Sequence, residues 1–457
     1  MKKLMAYLTA CMMMMSFSCC CSAADAEPIT FTSGDWEYVL MEDGTAEIVK
    51  CGRNEAEVTI PGELDGKPVS GLGADTFAYC ESLTSITIPD TVSAIEGNPF
   101  MSCEKLAAIN LSPDHPYLAV MDGVLFSKPD QKLVYYPSAL TAEKYEIPDG
   151  IQLIGDYAFA SCGSLAGITI PDSVTGIGDA AFFGCSSLSA ITIPDSVTGI
   201  GVNPFISCGK LETIKISPDH PYLSVTDGVL FSKPDKRLVC FPCALTAETY
   251  EIPEGIQLIG DSAFSGCESL TGIAIPDSVT AIGGWAFYFC ESLTGITIPD
   301  GVTSVGDRTF SGCKRLTGIT LPDSITAIGD WAFYDCKSLT AVTIPDRVTG
   351  IGKYAFEYCM SLNAVTIPAS VTDIGDEAFL YCSSLTEITI PDGVTSIGNR
   401  AFYNCESLAG MTIPDSVTSI GKNALKGCDA LTVTVSRDSY AAQYCEENGI
   451  RYTCPDQ

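Results

Sequence analysis

Histidine is nearly missing from this chain: His115 and His220 are the two among 457 residues. Each sits in a Pro-Asp-His-Pro turn with no second imidazole nearby, which leaves a zinc site or a Ser–His nucleophile little to work with and makes a structural turn their expected role. Basic side chains are scarce too, with 25 Lys and Arg against 56 Asp and Glu and a formal charge of −31. Such a surface repels nucleic acid and anionic lipid, because both are bound through counter-ion release by basic groups. Long apolar runs are limited to one, Leu4 to about Phe17, so no second stretch of membrane-spanning length exists.

That run follows Lys2 and Lys3 and precedes Ala24-Asp25-Ala26, a small-residue cleavage pattern. Residues 1–26 therefore read as a signal peptide, and the expected location is secreted or cell surface. Cys11, after Leu8-Thr9-Ala10, and Cys19 to Cys21 leave a lipid anchor open.

Cysteine is plentiful and periodic. It recurs at 80, 103, 162, 185, 208, 267, 290, 313, 336, 359, 382, 405 and 428, always 23 residues apart except for 103 to 162 and 208 to 267, which are 59 apart. A fixed period of that length is the mark of a solenoid, in which no single unit buries its own apolar face. In the unit from Cys290 to Cys313, Ile296 and Ile298 share one face of a short strand, Val302 and Val305 begin a second segment, and Phe310 ends a brief helical turn. Pro299-Asp300 and Gly306-Asp307 are turn signals between them.

The two long intervals contain near-copies, Ser112 to Gly150 and Ser217 to Gly255, each preceded by Asn-Pro-Phe. Gly-Val-Leu-Phe and Lys/Arg-Leu-Val flank Lys-Pro-Asp in both, which predicts a β-hairpin projecting from the stack. Both ends differ from the middle, as an array with exposed strand edges requires. Residues 29 to 60 suggest a hairpin around Glu42-Asp43-Gly44. Ser439 to Asn448 reads as a helix capped by Ser439 and stopped at Gly449, followed by a strand.

The pattern C-x-S-L-T-x-I-T-I-P-D-x-V-T-x-I-G-x-x-A-F, carried by Cys405 to Leu425 with Leu in place of the final Phe, strongly resembles the BspA-like class of leucine-rich repeat. That class occurs in exported and surface proteins of bacteria and some protists. The resemblance implies an α/β solenoid, a right-handed leucine-rich-repeat array of about fourteen 23-residue coils with two inserted β-hairpins and terminal caps. The expected organisation is a signal peptide over 1–26, an N-terminal cap over 27–60, the solenoid over 61–431 with insertions at about 112–147 and 217–252, and a C-terminal cap over 432–457. It also implies adhesion or protein binding and carries over no catalytic residue.

Candidate chemistry is correspondingly thin. The ladder cysteines are an odd-numbered set of equivalent positions, so they are expected to be free, buried packing residues rather than disulfides. Cys240-Phe241-Pro242-Cys243 lacks the setting of a redox or zinc motif, and Cys445 and Cys454 are close enough in sequence to tie a terminal helix to the last strand. The Pro-Asp turns repeat a carboxylate at Asp172, Asp195, Asp277, Asp300, Asp323, Asp346, Asp392 and Asp415, without the glycine-rich loops of calcium solenoids. No metal or cofactor is expected.

Trp285, Tyr288, Trp331, Tyr334, Tyr354, Tyr358, Tyr381 and Tyr403 cluster around the repeated Ala-Phe where the repeat demands no aromatic. They are the candidate ligand-binding residues, with inter-coil packing as the plain alternative. Thr297, Thr320, Thr343, Thr366, Thr389 and Thr412 form an outward column best explained by strand propensity. The function expected from these residues is that of an exported, non-catalytic scaffold recognising an extracellular or surface protein, or a glycan. The rivals are a spacer module of a surface assembly and a polysaccharide-active enzyme. The enzyme would need a cluster of carboxylates or an Arg-Asp constellation breaking the repeat at neighbouring coils, and none is evident in the sequence.

Overall fold

The computed structural model describes residues 29–455. The expected signal peptide, with Cys11 and Cys19 to Cys21, lies outside them. The chain divides into two compact units, one ending at Phe205 and one beginning at Ile206. Among the described residues no helix is long and apolar enough to cross a membrane.

In the second unit each coil supplies one strand of three residues and one of two. Gly295–Thr297 buries its central Ile296 and exposes both neighbours, as alternation along a strand dictates. It pairs in parallel with Gly318–Thr320, setting Ile296 beside Ile319 and Thr297 beside Thr320. The short strands run as a parallel six-stranded sheet from Ser304–Val305 through Ala327–Ile328, Gly350–Ile351, Asp373–Ile374 and Ser396–Ile397 to Ser419–Ile420. Each residue meets its counterpart one period away, and a slip by one would turn every isoleucine outward.

The third side of the coil is built differently from the helical turn that the spacing suggests. It consists of successive i to i+3 turns: Tyr334 N donates to Trp331 O at 3.1 Å, and Cys336 N donates to Phe333 O at 3.2 Å. The intervening amides of Trp331, Phe333 and Asp335 donate to the carbonyls of Lys353, Ala355 and Glu357 in the next coil, each at 2.8 Å. A helix would consume those donors within one coil, whereas stacking uses them between coils. The one α-helix among the described residues is Tyr440–Glu447, where Ser439 Oγ accepts the amide of Ala442 at 3.1 Å.

Like residues form columns through the interior. The rings of Phe264, Phe287, Phe310, Phe333, Phe356, Phe379 and Phe402 stack nearly parallel, with neighbouring centroids 5.1–5.5 Å apart. Beside them the thiols of Cys313, Cys336, Cys359, Cys382 and Cys405 donate to the carbonyls of Phe287, Phe310, Phe333, Phe356 and Phe379 in the preceding coils, each at 3.2 Å. All the described cysteines are free thiols, including Cys445 and Cys454. The ladder thiols thus serve as small apolar residues with a hydrogen to donate.

A further column was not anticipated. Asp307 Oδ1 accepts the amide of Asp330 at 2.8 Å, and Asp330 Oδ1 accepts that of Lys353 at 2.6 Å. Asp376 and Asn399 repeat the arrangement on Asn399 and Lys422. This explains the glycine before each: a Cβ on Gly329 would lie 2.5 Å from Asp307 Oδ1.

The first unit opens with antiparallel strands Thr30–Ser33, Trp36–Leu40 and Ala46–Cys51, the last of which turns to parallel pairing with Lys67–Leu72. Its inserted block forms three antiparallel strands, Leu118–Met121, Val124–Ser127 and Lys132–Tyr135. The expected hairpin is present but does not project freely, because Lys132–Tyr135 pairs in parallel with Leu153–Ile154 of the following coil and Leu125 and Val134 are buried. Apolar residues on both faces of the insertion draw it into the sheet. The second unit repeats this with Leu223–Thr226, Val229–Ser232 and Arg237–Cys240 joined to Leu258–Ile259. His115 is buried in its turn, its Nδ1 accepting the amides of Tyr117 at 3.3 Å and Leu118 at 3.1 Å while Nε2 meets Pro89 O at 3.1 Å. His220 holds Tyr222 and Leu223 in the same way.

Two outcomes follow from these columns. Phe333→Ala opens a gap in a stacked row and should destabilise the second unit by about 3–5 kcal/mol, measured as a lowered urea midpoint; a loss under about 1 kcal/mol would show that the rings are not tightly packed. Burial pushes the thiols of Cys290, Cys313, Cys336 and Cys359 well above their ordinary range, so at pH 8 they should resist iodoacetamide in the native protein and react once it is unfolded. Rapid alkylation of the native ladder would contradict this.

Candidate functional site

The turn that carries the aromatic residues is fixed from both sides. In Gly329-Asp330-Trp331-Ala332-Phe333-Tyr334-Asp335-Cys336, Gly329 and Asp330 are tied to neighbouring coils, and Ala332, Phe333 and Cys336 are buried. Trp331 and Tyr334 are left on the outer surface. Trp331 takes a left-handed backbone, φ +54°, and so do Trp285, Arg308, Tyr354, Glu377 and Arg400 at the same place in the repeat. Bulky residues rarely adopt that region, and the inter-coil hydrogen bonds hold them there.

Those positions form one row across successive coils. The Arg308 guanidinium lies between two indoles, 4.4 Å from the Trp285 ring centre and 4.0 Å from that of Trp331. Trp331 then stacks on Tyr354 with centroids 4.5 Å apart and planes 8° from parallel. Glu377 and Arg400 continue the row as an ion pair at 3.2 Å. In a second row Tyr334 meets Tyr358 edge-on at 5.8 Å, Tyr358 stacks on Tyr381 at 5.0 Å, and Tyr381 meets Tyr403 edge-on at 6.2 Å. Tyr288 packs edge-on to Trp285 at 4.7 Å.

All eight aromatic residues singled out in the sequence thus lie along these two rows. Trp285 is only 7% exposed and packs as an interior residue, while the other seven are half-buried. Trp331 with Tyr354 and Tyr358 with Tyr381 lie face to face, while the Tyr334–Tyr358, Tyr381–Tyr403 and Trp285–Tyr288 contacts are edge-on.

The structure adds residues that sequence reasoning missed. Arg308 belongs to the first row and is 8% exposed; reading every residue 23 positions from Trp285 would have found it. Asp335, Glu357 and Glu377 come from three consecutive coils, and the charges of Glu377 and Asp335 act on Glu357 and on Tyr358. These carboxylates stand at different places in the repeat. Lys337 pairs with Asp335 at 3.0 Å and Arg400 with Glu377, but no cation pairs with Glu357 among the described residues. Burial pushes the Glu357 carboxyl up to about 8, and the charges of Glu377 and Asp335 add to the effect.

Other candidates are placed apart from this face. Cys243 Sγ lies 3.2 Å from the ladder thiol of Cys267, and Cys240 is buried. The six threonines are exposed on their strands, and Thr343 stands beside Thr366. Among the described residues no three His, Cys, Asp or Glu are grouped so that they could hold a metal ion.

A family model for the BspA type leucine rich repeat region, with six copies, matches residues 59–123, 133–227, 238–363 and 303–432. The chain belongs to the BspA-type leucine-rich repeat family. A leucine-rich repeat protein from Bacteroides ovatus is 27% identical, with 93% of this chain and 100% of that one covered and a TM-score of 0.47. One from Eubacterium ventriosum is 23% identical, with 82% and 94% covered and a TM-score of 0.50. A leucine rich cell surface protein from Faecalibacterium prausnitzii is 27% identical, with 94% and 99% covered and a TM-score of 0.35. None of the curated proteins matches this chain. As a BspA-type protein it is a repeat scaffold, and its aromatic face differs from coil to coil over a stack that repeats.

Glu357 makes that surface sensitive to pH. A carboxyl whose folded value is raised holds its proton in the native state while the unfolded chain has lost it, so stability falls as pH climbs from about 4.5 to about 8. Glu357→Gln removes this loss. Thermal melts should show the variant more stable than the parent at pH 8–9 and equal to it near pH 4, and parallel pH profiles would contradict the assignment.

Proposed function

We propose that this BspA-type protein is an exported, non-catalytic scaffold that binds a protein at or outside the cell surface, using the aromatic face between Trp331 and Tyr403. The observation that carries the reading is the two-row arrangement of half-buried Trp and Tyr residues on turns held rigid by hydrogen bonds from coil to coil. Tyr and Trp present large contact areas with few rotors to freeze, and a pre-ordered turn loses little entropy on docking. The leader-like residues 1–26 support export. These carboxylates do not favour sugar cleavage, because a glycosidase needs an acid and a second carboxylate facing each other across an open cleft, and Glu357 is only 7% exposed.

The test is a binding screen of the chain from Glu27 onward against extracellular-matrix proteins, mucin and glycans. For a protein that binds, Tyr358→Ala should weaken affinity by roughly 30-fold, while Thr366→Ala on the exposed strand column leaves it unchanged. Loss of binding through Thr366 with Tyr358 indifferent would move the site to the strand face. Binding of glycans alone would overturn the protein-partner reading.

A further inference from the structure

Two sulfurs at the second insertion depart from the pattern of the cysteine ladder. The ladder thiols point at backbone oxygens of the preceding coils: Cys290 Sγ donates to Phe264 O at 3.1 Å and Cys313 Sγ to Phe287 O at 3.2 Å. Cys267 Sγ reaches Phe241 O at 3.6 Å, and a second sulfur, that of Cys243, stands closer, at 3.2 Å. Cys243 is itself anchored, donating to Ser265 O at 3.0 Å. The stretches that carry the two cysteines are held in register, because Phe241 N donates to Ala263 O at 2.8 Å. Bonded sulfurs lie about 2.0 Å apart, so little more than about 1 Å is left to close.

The pair joins an accessible thiol to an enclosed one. Cys243 is half-buried, whereas Cys267 is wholly buried. Burial also pushes the Cys267 thiol well above its ordinary range, so Cys243 is the one that an external reagent meets first. Exposure alone does not select the pair, since Cys51, Cys80 and Cys454 are half-buried as well. Cys240, three residues earlier, is buried at the end of the strand Arg237–Cys240. The first insertion supplies a comparison within the same chain: Cys162 takes the place of Cys267, but Ser138 takes that of Cys243.

We propose that Cys243 and Cys267 form a reversible disulfide by exchange with a small external disulfide of the oxidised-glutathione class. Cys243 loses its proton to solvent and its thiolate attacks one sulfur of the reagent. The reagent's S–S bond breaks, a mixed disulfide forms on Cys243, and the first small thiolate departs and takes up a proton from solvent. Cys267 then attacks Cys243 Sγ, its own proton passing to the second small thiolate as that leaves. Two protein thiols are thereby oxidised by two electrons, and one external disulfide is reduced to two thiols. The crosslink spans 24 residues and ties the turn after Arg237–Cys240 to the turn of the following coil, which restricts the unfolded chain. It stands whatever the aromatic face binds.

The experiment treats the reduced chain from Glu27 onward with oxidised glutathione under argon at mildly alkaline pH, alkylates the remaining thiols in denaturant and maps the peptides by mass spectrometry. Cleavage after Glu212, Glu248, Glu254 and Glu268 leaves Cys240 and Cys243 on one peptide and Cys267 alone on another. The expected result is that these two peptides are joined, that Cys162 remains alkylatable, and that dithiothreitol undoes the link. The oxidised chain should also unfold at a higher urea midpoint than the reduced one. Cys243→Ser, which supplies the residue type that Ser138 provides in the first insertion, should lose both the link and the shift in midpoint. Cys267→Ser should stop at the mixed disulfide on Cys243, and Cys240→Ser should keep the link. A Cys243 untouched by glutathione, or one that takes it up while Cys267 stays fully alkylatable, would overturn the proposal. So would a link that survives Cys243→Ser or vanishes in Cys240→Ser, since either result would assign it to Cys240.

Discussion

Registration of each coil on the next is the constraint from which the other features of the structure descend. Ile296 lies beside Ile319, the phenylalanine rings stack at little over 5 Å, and backbone amides on the turn side reach carbonyls one coil away. A coil taken alone has its apolar residues on a surface and most of its amides unused, so stability belongs to the interfaces between coils. This also explains why side chains that would be ornamental in a globular domain become structural. The Asp307–Asp330 bond, the cysteine hydrogen and the missing Cβ of Gly329 each serve the approach of one coil to its neighbour.

The same registration creates the outer face. Turns that bond upward and downward rather than to themselves hold left-handed residues in place, and the positions concerned carry Trp285, Arg308, Trp331, Tyr354, Glu377 and Arg400. Bulk and charge vary there from coil to coil, with Trp285 and Arg308 buried and Trp331 and Tyr354 half-buried. The interior columns repeat one residue type, whereas one outer row mixes rings with charged side chains and the other carries tyrosines. Glu357 shows the electrostatic cost of that face, a carboxyl whose burial and acidic neighbours raise the energy of its ionised form.

The insertions obey the same rule. Their apolar strands do not stand off as free hairpins but add to the sheet edge of a following coil, with a buried histidine holding the entry turn in each copy. The imidazole there acts as a rigid acceptor of two backbone amides, a structural use that needs no second histidine. The two copies differ at Tyr135 and Ser138 against Cys240 and Cys243, and the second copy thereby gains the close contact of Cys243 with the ladder thiol of Cys267.

The sequence by itself determined the period, the family pattern, the identity of the interior columns and the list of outward aromatics, because a 23-residue spacing maps directly onto stacked positions. It also misled where local spacing has two solutions: the segment before each cysteine suits a helical turn as well as a run of β-turns, and only the competition of the next coil for its amides decides. The tertiary structure alone decided that Arg308 sits between two indoles and that the charges of Asp335 and Glu377 act on Glu357. Those three carboxylates occupy three different places in the repeat, so no period joins them. Their influence on one another acts through the field between adjoining coils, and which charges stand near Glu357 is decided by the stacking of those coils rather than by any linear pattern.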